Sequence, residues 1–329
     1  MSNHVDTTAL VSLSDIEAAY ARIRPVARVT PLIEAPWPVA GQTGTLFLKC
    51  ESLQPMGAFK IRGAFNMVSQ LTDEQRRRGV ITYSSGNHGQ AVALAARQLG
   101  APAVIVMPTT APKVKVDGAL GYGAEVTFAG TTSLDRKARA EEIAAERQLT
   151  MVPPFDHPMI IAGQGTAGLE ILDQCPDASA VLVEVGGGGL SSGVSAAIKQ
   201  RAPHVRVVGV EPEGAPKMKR SLEAGHPVTL EKTASIADGL LTIRPGELTF
   251  EHVRAFVDEI VTVPDEAMIR AIRWLYGNAR LVVEPSGSVT VAALTLGLGG
   301  IDASRGPVVA IVSGGNVEPS KYAEYITQS

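Results

Sequence analysis

The chain has 329 residues, of which 45% are hydrophobic and 19% charged, and its formal net charge is −3. This is an ordinary globular composition for one large or two modest domains, and so weak a charge argues against nucleic acid or an anionic membrane as a partner. Cys50 and Cys175 have no CxxC spacing, so neither a disulfide framework nor a zinc knuckle is expected. No apolar run approaches about 18 residues and the amino-terminal stretch is unlike a targeting peptide, so we expect a cytoplasmic protein without a membrane span.

Short β-type runs alternate with helical patterns along the chain. A capping box over Ser14–Glu17 predicts the first helix. The runs that predict strands are 79–84, 101–108, 124–128, 181–185, 205–211 and 307–313. Helical spacing marks the segments 87–99, 134–146, 192–200 and 266–276. Continuous Val and Ile runs are typical of parallel strands buried on both faces, so the predicted fold class is α/β, with helices on both faces of parallel sheets.

Three of the predicted strands end in loops rich in glycine and small polar residues. These loops are SSGNHG at 84–89, GGGGL at 186–190 and SGGN at 313–316. Because ligands of α/β sheets bind beyond the carboxyl ends of the strands, the three loops predict one shared site.

The stretch GGGGLSSG at 186–193 runs from a strand into a helix. Glycines let backbone N–H groups approach an anion closely, and the helix N-terminus adds a positive dipole, so we interpret it as a phosphate cradle. A plain tight turn is the alternative. The GxGxxG spacing fails at Ser191 and Ser192, and no GK[ST] follows, which argues against a dinucleotide fold or a Walker loop.

The stretch SSGNHGQ at 84–90 combines hydroxyl, amide and imidazole groups with a helix start, which suits a carboxylate or phosphate ligand. An ordinary N-cap by Ser85 or Asn87 is the alternative. For SGGN, a ligand contact by Ser313 and a simple cap are equally good interpretations.

Lys60 lies in the apolar, glycine-bracketed stretch MGAFKIRGAFN at 56–66. Burial would lower the pKa of this lysine and make it a nucleophilic amine. A packed stem with a solvated head is the better interpretation for an isolated lysine. The two cradles favour the reactive amine, because together they fit a phosphorylated aldehyde cofactor that acts on an amino acid.

The chain resembles the fold-type II pyridoxal-phosphate enzymes of the threonine/serine dehydratase and serine racemase group. The resemblance runs from KCESLQPMGAFKIRGAFN (49–66) to VSGGNVE (312–318), by way of SSGNHGQAVALAA (84–96), PPFDHPMIIAGQGTAGLEI (153–171), VGGGGLSSG (185–193), ADGL (237–240) and VVEPSG (282–287). It implies pyridoxal 5'-phosphate as the cofactor and a tryptophan synthase β-like architecture.

The resemblance also implies roles for individual residues. Lys60 would form the Schiff base with the cofactor, Phe59 would border the ring, and Ser313 would meet the pyridine nitrogen. Asn87 would bind the ring hydroxyl. The remaining cofactor contacts would be Gly186, Gly187, Gly188, Gly189, Gly239 and Glu284. The substrate carboxylate would be bound by Ser84, Ser85, Asn87 and His88.

The implied reaction is β-elimination from a β-hydroxy L-amino acid, by default threonine or serine, to a 2-oxo acid and ammonia. Lys60 would be the base that removes the Cα proton. Racemisation is an alternative, because racemases have a serine at the position of Ser85 as the acid/base on the opposite face of the cofactor. Arg136 would lie near the distal end of the substrate and suit 3-hydroxyaspartate, although LDRKARAEE also fits a solvated helix face. Phenylserine remains a further candidate substrate.

Racemase-like relatives hold a divalent ion near the stretch that matches GVEPEGAPK at 209–217. By the resemblance, Glu211 and the carbonyl of Ala215 match metal ligands, whereas Lys217 replaces the second acidic ligand. A cation at Lys217 would repel a metal, so we expect the site not to be filled as in those relatives, with Glu213 as the alternative ligand.

The resemblance implies a large cofactor-binding domain of residues 1–74 and 157–329 and a small mobile domain of residues 75–156. It further implies a homodimer, and no carboxyl-terminal regulatory domain is expected. Two other classes of protein are alternatives to such an enzyme. The broken GxGxxG argues against a nicotinamide dehydrogenase, and intact Lys60, Asn87 and Ser313 argue against a silent binding protein.

Overall fold

The computed structural model describes residues 9–39, 41, 43–84, 86–111 and 113–327, which form an α/β fold with two sheets, as predicted. The strands of these residues are β1 Leu32–Ala35, β2 Leu46–Lys49, β3 Val80–Tyr83, β4 Ala103–Met107, β5 Glu125–Phe128, β6 Thr150–Met151, β7 Ala180–Glu184, β8 Arg206–Pro212, β9 Glu259–Val263 and β10 Val308–Ile311. The six strands predicted from the sequence are all present, with boundaries within two residues of the expected ones.

The larger sheet has the strand order β1-β2-β10-β7-β8-β9. β1 runs antiparallel to β2, and the other neighbouring strands of this sheet are parallel. Along β10, Val308 and Ala310 pack in one apolar cluster, whereas Val309 and Ile311 pack in another on the opposite face. Burial on both faces explains the continuous apolar run of this strand.

The smaller sheet has the order β5-β4-β3-β6 and is parallel throughout. Its strand β4 is also covered on both sides, because Ile105 and Met107 pack in one cluster and Val104 and Val106 in another. The strands of this sheet all lie within residues 75–156, the segment expected to form a small domain. The division into domains itself stays a prediction.

The helices of the described residues are α1 Leu13–Ile23, α2 Ile61–Val68, α3 Asp73–Arg78, α4 Asn87–Gln98, α5 Lys113–Gly121, α6 Ser133–Arg147, α7 Pro158–Gln174, α8 Gly189–Arg201, α9 Lys217–Ala224, α10 Glu247–Phe256, α11 Asp265–Trp274, α12 Pro285–Thr295 and α13 Pro319–Thr327. None of these helices has the length and apolar character needed to cross a bilayer.

The first helix begins two residues earlier than predicted. Its N-cap is Ser12, whose Oγ accepts from the backbone N–H of Asp15 at 3.2 Å, while the Ser12 N–H donates to the Asp15 carboxylate at 3.0 Å. The prediction of a box at Ser14 was wrong because both serines have an acidic residue three positions later. A tertiary contact distinguishes them: Gln200 Oε1 accepts from the N–H of Leu13, the first helical residue, at 2.9 Å.

A buried charge network connects α2 to β2 and α7. Arg62, two residues after Lys60, bonds Glu51 and Glu170 through pairs of nitrogen–oxygen contacts between 2.7 and 2.8 Å. Lys49 Nζ lies 2.6 Å from Glu170. The four side chains are almost completely buried. The charges therefore depend on each other for compensation.

Replacement of Arg62 by Met should lower the free energy of unfolding by about 3–5 kcal/mol, because it leaves Glu51 buried without its cation. Equilibrium unfolding in urea measures the loss. The control is Arg78→Met, which removes an exposed ion pair with Glu74 and should cost no more than about 1 kcal/mol. Equal losses for the two variants would contradict this view of the network.

Candidate active site

A cavity of about 610 Å³ lies beyond the carboxyl ends of β3, β7 and β10. Ser84, Gly186 and Ser313, which follow these strands, all line it, so the structure brings the three predicted loops together. The other predicted site residues that line the cavity are Phe59, Lys60, Asn87, His88, Arg136, Gly187, Gly188, Gly189, Gly239 and Glu284. Ser85 lies outside the described residues.

Lys60 immediately precedes α2 and faces the cavity between two fully buried neighbours, Ala58 and Ile61. Its Nζ donates to the carbonyl oxygen of Pro154 at 2.8 Å. Burial lowers the pKa of Lys60 to about 8, although the negative charge of Glu284 opposes the shift. At a mildly alkaline pH a substantial fraction of this amine is neutral and able to act as a nucleophile or base.

The four glycines of residues 186–189, called the glycine loop below, connect β7 to the N-terminus of α8. Gly188 is the N-cap of that helix and has φ +100°, a conformation that side chains rarely adopt. A Cβ on Gly187 would overlap the ring of Phe155, so this position also requires glycine. The first N–H groups of α8 have no partner within the helix, and they form an anion cradle at the cavity wall.

The loop before α4 forms a second cradle. The Gly86 N–H donates to Ser84 Oγ at 3.2 Å, and Asn87 is the first residue of the helix. His88 Nε2 lies 3.0 Å from the carbonyl oxygen of Val152, and burial lowers the pKa of this imidazole to about 3. His88 is therefore neutral, and its Nε2 carries the proton that the carbonyl accepts.

Asn87 belongs to a polar chain at the cavity wall. Its Nδ2 donates to Glu284 Oε1 at 2.6 Å, and its Oδ1 accepts from Asn316 at 2.9 Å. Burial raises the pKa of Glu284 to about 8, with the negative charge of Asp238 adding to the effect. Glu284 Oε2 has no hydrogen-bond partner in the described part of the chain.

Glu184 was missed by sequence reasoning. It ends β7, is 2% exposed and lines the cavity, and its Oε1 accepts from the backbone N–H of Ser313 at 3.1 Å. Its Oε2 finds no hydrogen-bond partner within the described ranges. Burial holds the pKa of Glu184 well above its usual range. No local pattern indicates this role, because Glu184 stands inside an apolar run.

An ion pair between Lys115 on α5 and Asp238 also lines the cavity and was not predicted. It connects the region of the smaller sheet to the turn that contains Gly239, whose N–H donates to Ser286 Oγ at 2.9 Å. The pair joins residues more than a hundred positions apart in the chain, which no local pattern could indicate.

Arg136 on α6 lines the cavity and is only partly exposed, unlike the fully solvated face that was the alternative. One of its terminal nitrogens donates to the carbonyl of Thr131 at 3.3 Å. Its Nε is buried and has no bond to any of the residues described.

The proposed metal ligands lie outside the cavity lining. Glu211 is fully buried, and Glu213, the alternative ligand, is exposed. The side chain of Lys217 contacts both Glu211 and the carbonyl of Ala215. These residues do not fit a divalent ion, because an ammonium group already occupies their oxygens.

The cavity thus combines the amine of Lys60 with the two anion cradles before α4 and α8. An amine binds an aldehyde and a cradle binds a phosphate, so the site is that of an α/β enzyme whose ligand carries both groups. A family model described as "Pyridoxal-phosphate dependent enzyme" matches residues 23–314. The chain belongs to this family and is a pyridoxal-phosphate dependent enzyme.

Individual relatives match over nearly the whole chain. Serine racemase of Schizosaccharomyces pombe is 40% identical over 323 residues, which are 98% of this chain and 99% of that protein. L-threonine ammonia-lyase of Thermotoga maritima is 42% identical over 309 residues, or 94% of this chain and 76% of that protein. The structure of maize serine racemase aligns with a TM-score of 0.90 at 37% identity and covers 96% of this chain and 97% of that one.

The residues present fit the cofactor. The glycine loop admits no side chains, because a Cβ on Gly187 would overlap Phe155 and one on Gly188 would overlap Thr249. One carboxyl oxygen of Glu184 and one of Glu284, Oε2 in each case, are buried and lack partners in the described ranges. Unpaired buried polar atoms are rare in folded proteins, and here they flank the cavity in which a polar aromatic ring would bind.

Glu184→Gln should change how stability depends on pH. The folded protein retains a proton on Glu184 that the unfolded chain loses above about pH 4.5, so ionisation favours unfolding as the pH rises. The free energy of unfolding should therefore fall less steeply in the variant than in the wild type as the pH rises above about 5. Urea unfolding at a series of pH values measures both slopes.

The matched control is Glu231→Gln, at an exposed position, whose slope should equal that of the wild type. A Glu184→Gln slope that is parallel to the wild-type slope would show that Glu184 is ionised in the folded protein.

Proposed function

We propose that this enzyme catalyses the dehydration and deamination of a β-hydroxy L-amino acid, with L-threonine or L-serine as the principal substrates, to a 2-oxo acid and ammonia. One observation carries the proposal: the Lys60 amine, with its lowered pKa, faces the same cavity as both anion cradles. The relationship to L-threonine ammonia-lyase supports the reaction class.

Bound pyridoxal phosphate supplies a conjugated ring that stabilises negative charge at the substrate Cα. We assign its phosphate to the N–H groups of residues 186–189 and its aldehyde carbon to Lys60. Phe59 would border the ring, Asn87 would bind the ring hydroxyl, and Ser313 would meet the ring nitrogen. Gly239 and Glu284 complete the surroundings of the cofactor.

We assign the substrate carboxylate to the loop of residues 84–88 at the N-terminus of α4, where Ser84, Ser85, Asn87 and His88 surround it. The helix dipole and free N–H groups favour an anion there. Since the one ring proton of neutral His88 is donated to the carbonyl of Val152, the backbone N–H of His88 is the group that would bind the carboxylate.

In this proposal, Lys60 Nζ takes the Cα proton of the substrate as the general base. The β-hydroxyl then leaves as water with a proton that replaces the one Lys60 took from Cα, so that Lys60 is neutral again. The enamine product tautomerises and is hydrolysed to the 2-oxo acid and ammonia. Ser313 offers a hydroxyl to the ring nitrogen, and Glu184 behind it is neutral, so no carboxylate stabilises a protonated ring. A weaker electron sink favours rapid loss of the β-group over transamination.

Racemisation is the second candidate, favoured by the full-length relationship to serine racemase and by Ser85. A hydroxyl on the face opposite to Lys60 would return a proton to Cα with inverted configuration. Arg136 and its unpaired Nε make 3-hydroxyaspartate an alternative dehydratase substrate, and phenylserine is another.

We also propose that the small domain comprises residues 75–156 and the large domain residues 1–74 and 157–329, and that the enzyme works as a cytoplasmic homodimer in amino-acid catabolism. The separation of the two sheets supports the division into domains. The two buried free cysteines agree with a reducing compartment.

Lys60→Ala should abolish the absorbance band of the bound cofactor near the edge of the visible range and lower 2-oxo acid release by about 10³-fold or more. The control is Lys113→Ala, at an exposed lysine, which should retain both the absorbance band and the release of the 2-oxo acid. Turnover and spectrum that match the wild type would refute the assignment of Lys60.

Ser85→Ala should separate the two candidate activities. We expect racemisation of L-serine, followed on a chiral column, to fall at least about tenfold more than 2-oxo acid release, because only racemisation needs a proton donor on the second face. An equal fall of both activities would assign Ser85 to substrate binding alone.

A further inference from the structure

The side chain of Lys217, at the start of α9, is completely buried behind the wall of the cavity. Its Nζ lies 2.8 Å from the carbonyl oxygen of Val185, 3.1 Å from that of Leu240 and 3.2 Å from that of Ala215. The fourth neighbour is Glu211 Oε1 at 3.0 Å. The nitrogen is therefore surrounded by four oxygen atoms.

All four neighbours are hydrogen-bond acceptors, so they require an ammonium group rather than a neutral amine, which has only two N–H bonds. Glu211 is itself held as a carboxylate, because it accepts from the N–H groups of Met218 and Lys219 at 2.9 Å each. Burial lowers the pKa of Lys217, and Glu211 opposes that shift. The ion pair and the carbonyl dipoles together replace the lost hydration of the charge.

Two of the three carbonyl groups that bind Lys217 stand next to segments that line the cavity. Val185 immediately precedes Gly186, and Leu240 immediately follows Gly239. These segments touch, since a Cβ on Gly186 would lie 3.1 Å from the carbonyl oxygen of Gly239. Lys217 therefore connects the phosphate-binding loop to the neighbouring turn from behind.

The same oxygens are poorly suited to a free metal ion. Mg²⁺ and Ca²⁺ bind oxygen at about 2.0–2.6 Å, whereas the contacts of Lys217 have hydrogen-bond lengths. Glu211 is the only carboxylate that contacts Lys217, and the described residues contain no group of three His, Cys, Asp or Glu side chains that could hold a metal.

We propose that the ammonium group of Lys217 is a tethered structural cation, which does the work of a divalent ion and makes cofactor binding independent of metals. Lys217 is a positioning residue: it fixes the backbone at Val185 and Leu240, and through them the phosphate-binding loop. The proposal rests on the assignment of the phosphate to residues 186–189, but not on the identity of the substrate.

The first test uses the wild-type holoenzyme. After exhaustive treatment with EDTA, the dissociation constant of pyridoxal phosphate and the midpoint of thermal unfolding should stay the same when MgCl₂ or CaCl₂ is added. Tighter cofactor binding or a higher midpoint with either ion would overturn the proposal. Neither measurement involves an amino-acid substrate, so a wrong substrate assignment cannot imitate this result.

Two variants test the role of the charge. Lys217→Met keeps much of the volume but removes the cation, so it should bind pyridoxal phosphate at least tenfold more weakly, with or without MgCl₂. Lys217→Asp places a second carboxylate beside Glu211 and the Ala215 carbonyl. It should bind the cofactor weakly in EDTA and regain at least tenfold in affinity with MgCl₂.

The matched control is Lys199→Met. Lys199 also pairs with a carbonyl and a carboxylate, those of Val205 and Asp258, but does not line the cavity or touch its loops. Its loss should change cofactor affinity less than twofold. Wild-type affinity of Lys217→Met, or a Lys217→Asp variant that ignores MgCl₂, would overturn the proposal. If neither variant folds, the wild-type metal titration still decides.

Discussion

The position of the reactive lysine depends on the buried charge network around Arg62. The guanidinium joins α2 to the turn at Glu51 and to Glu170 on α7, and Lys60 stands two residues before it. Taking these charges out of water is costly, so apolar side chains in place of all four charged residues would stabilise the fold about as well, whereas the loss of one partner alone is destabilising. The paired nitrogen–oxygen contacts of Arg62 instead fix the orientation and the position of α2 relative to its neighbours. The Lys60 amine consequently points at the cavity.

Four titratable side chains of the cavity hold little charge, in contrast to Arg136 and to the ion pair of Lys115 with Asp238. Burial lowers the pKa of Lys60 and His88 and raises that of Glu184 and Glu284. Each shift favours the neutral form. The positive potential that an anionic ligand needs comes instead from the N-termini of α4 and α8, which cannot be titrated. Such a site can accept and return protons near neutral pH while its binding of anions stays constant.

Fixed cations stand behind two walls of the cavity. Arg62 anchors the helix α2, which begins directly after Lys60, and Lys217 bonds the backbone at Val185, next to the glycine loop of residues 186–189. A cation that belongs to the chain has no dissociation constant, so its effect does not depend on the concentration of free ions. Its translational freedom is also already limited by the backbone. Unlike a metal site, such a position is always occupied by its cation, but it cannot bind a different ion.

Local patterns determined the α/β class, six of the strands, the two glycine-rich loops and Lys60 as a candidate, because buried parallel strands and anion-binding turns each need particular residue types at short spacing. Only the tertiary structure decided which pairings formed. It chose Ser12 over Ser14 through a contact with Gln200, and it brought Glu184 beside Ser313. It also enclosed the ammonium of Lys217 in four oxygens. Such contacts join residues that are distant in the chain, and their energies depend on burial. Neither the contacts nor the burial can be predicted from the spacing of nearby residues.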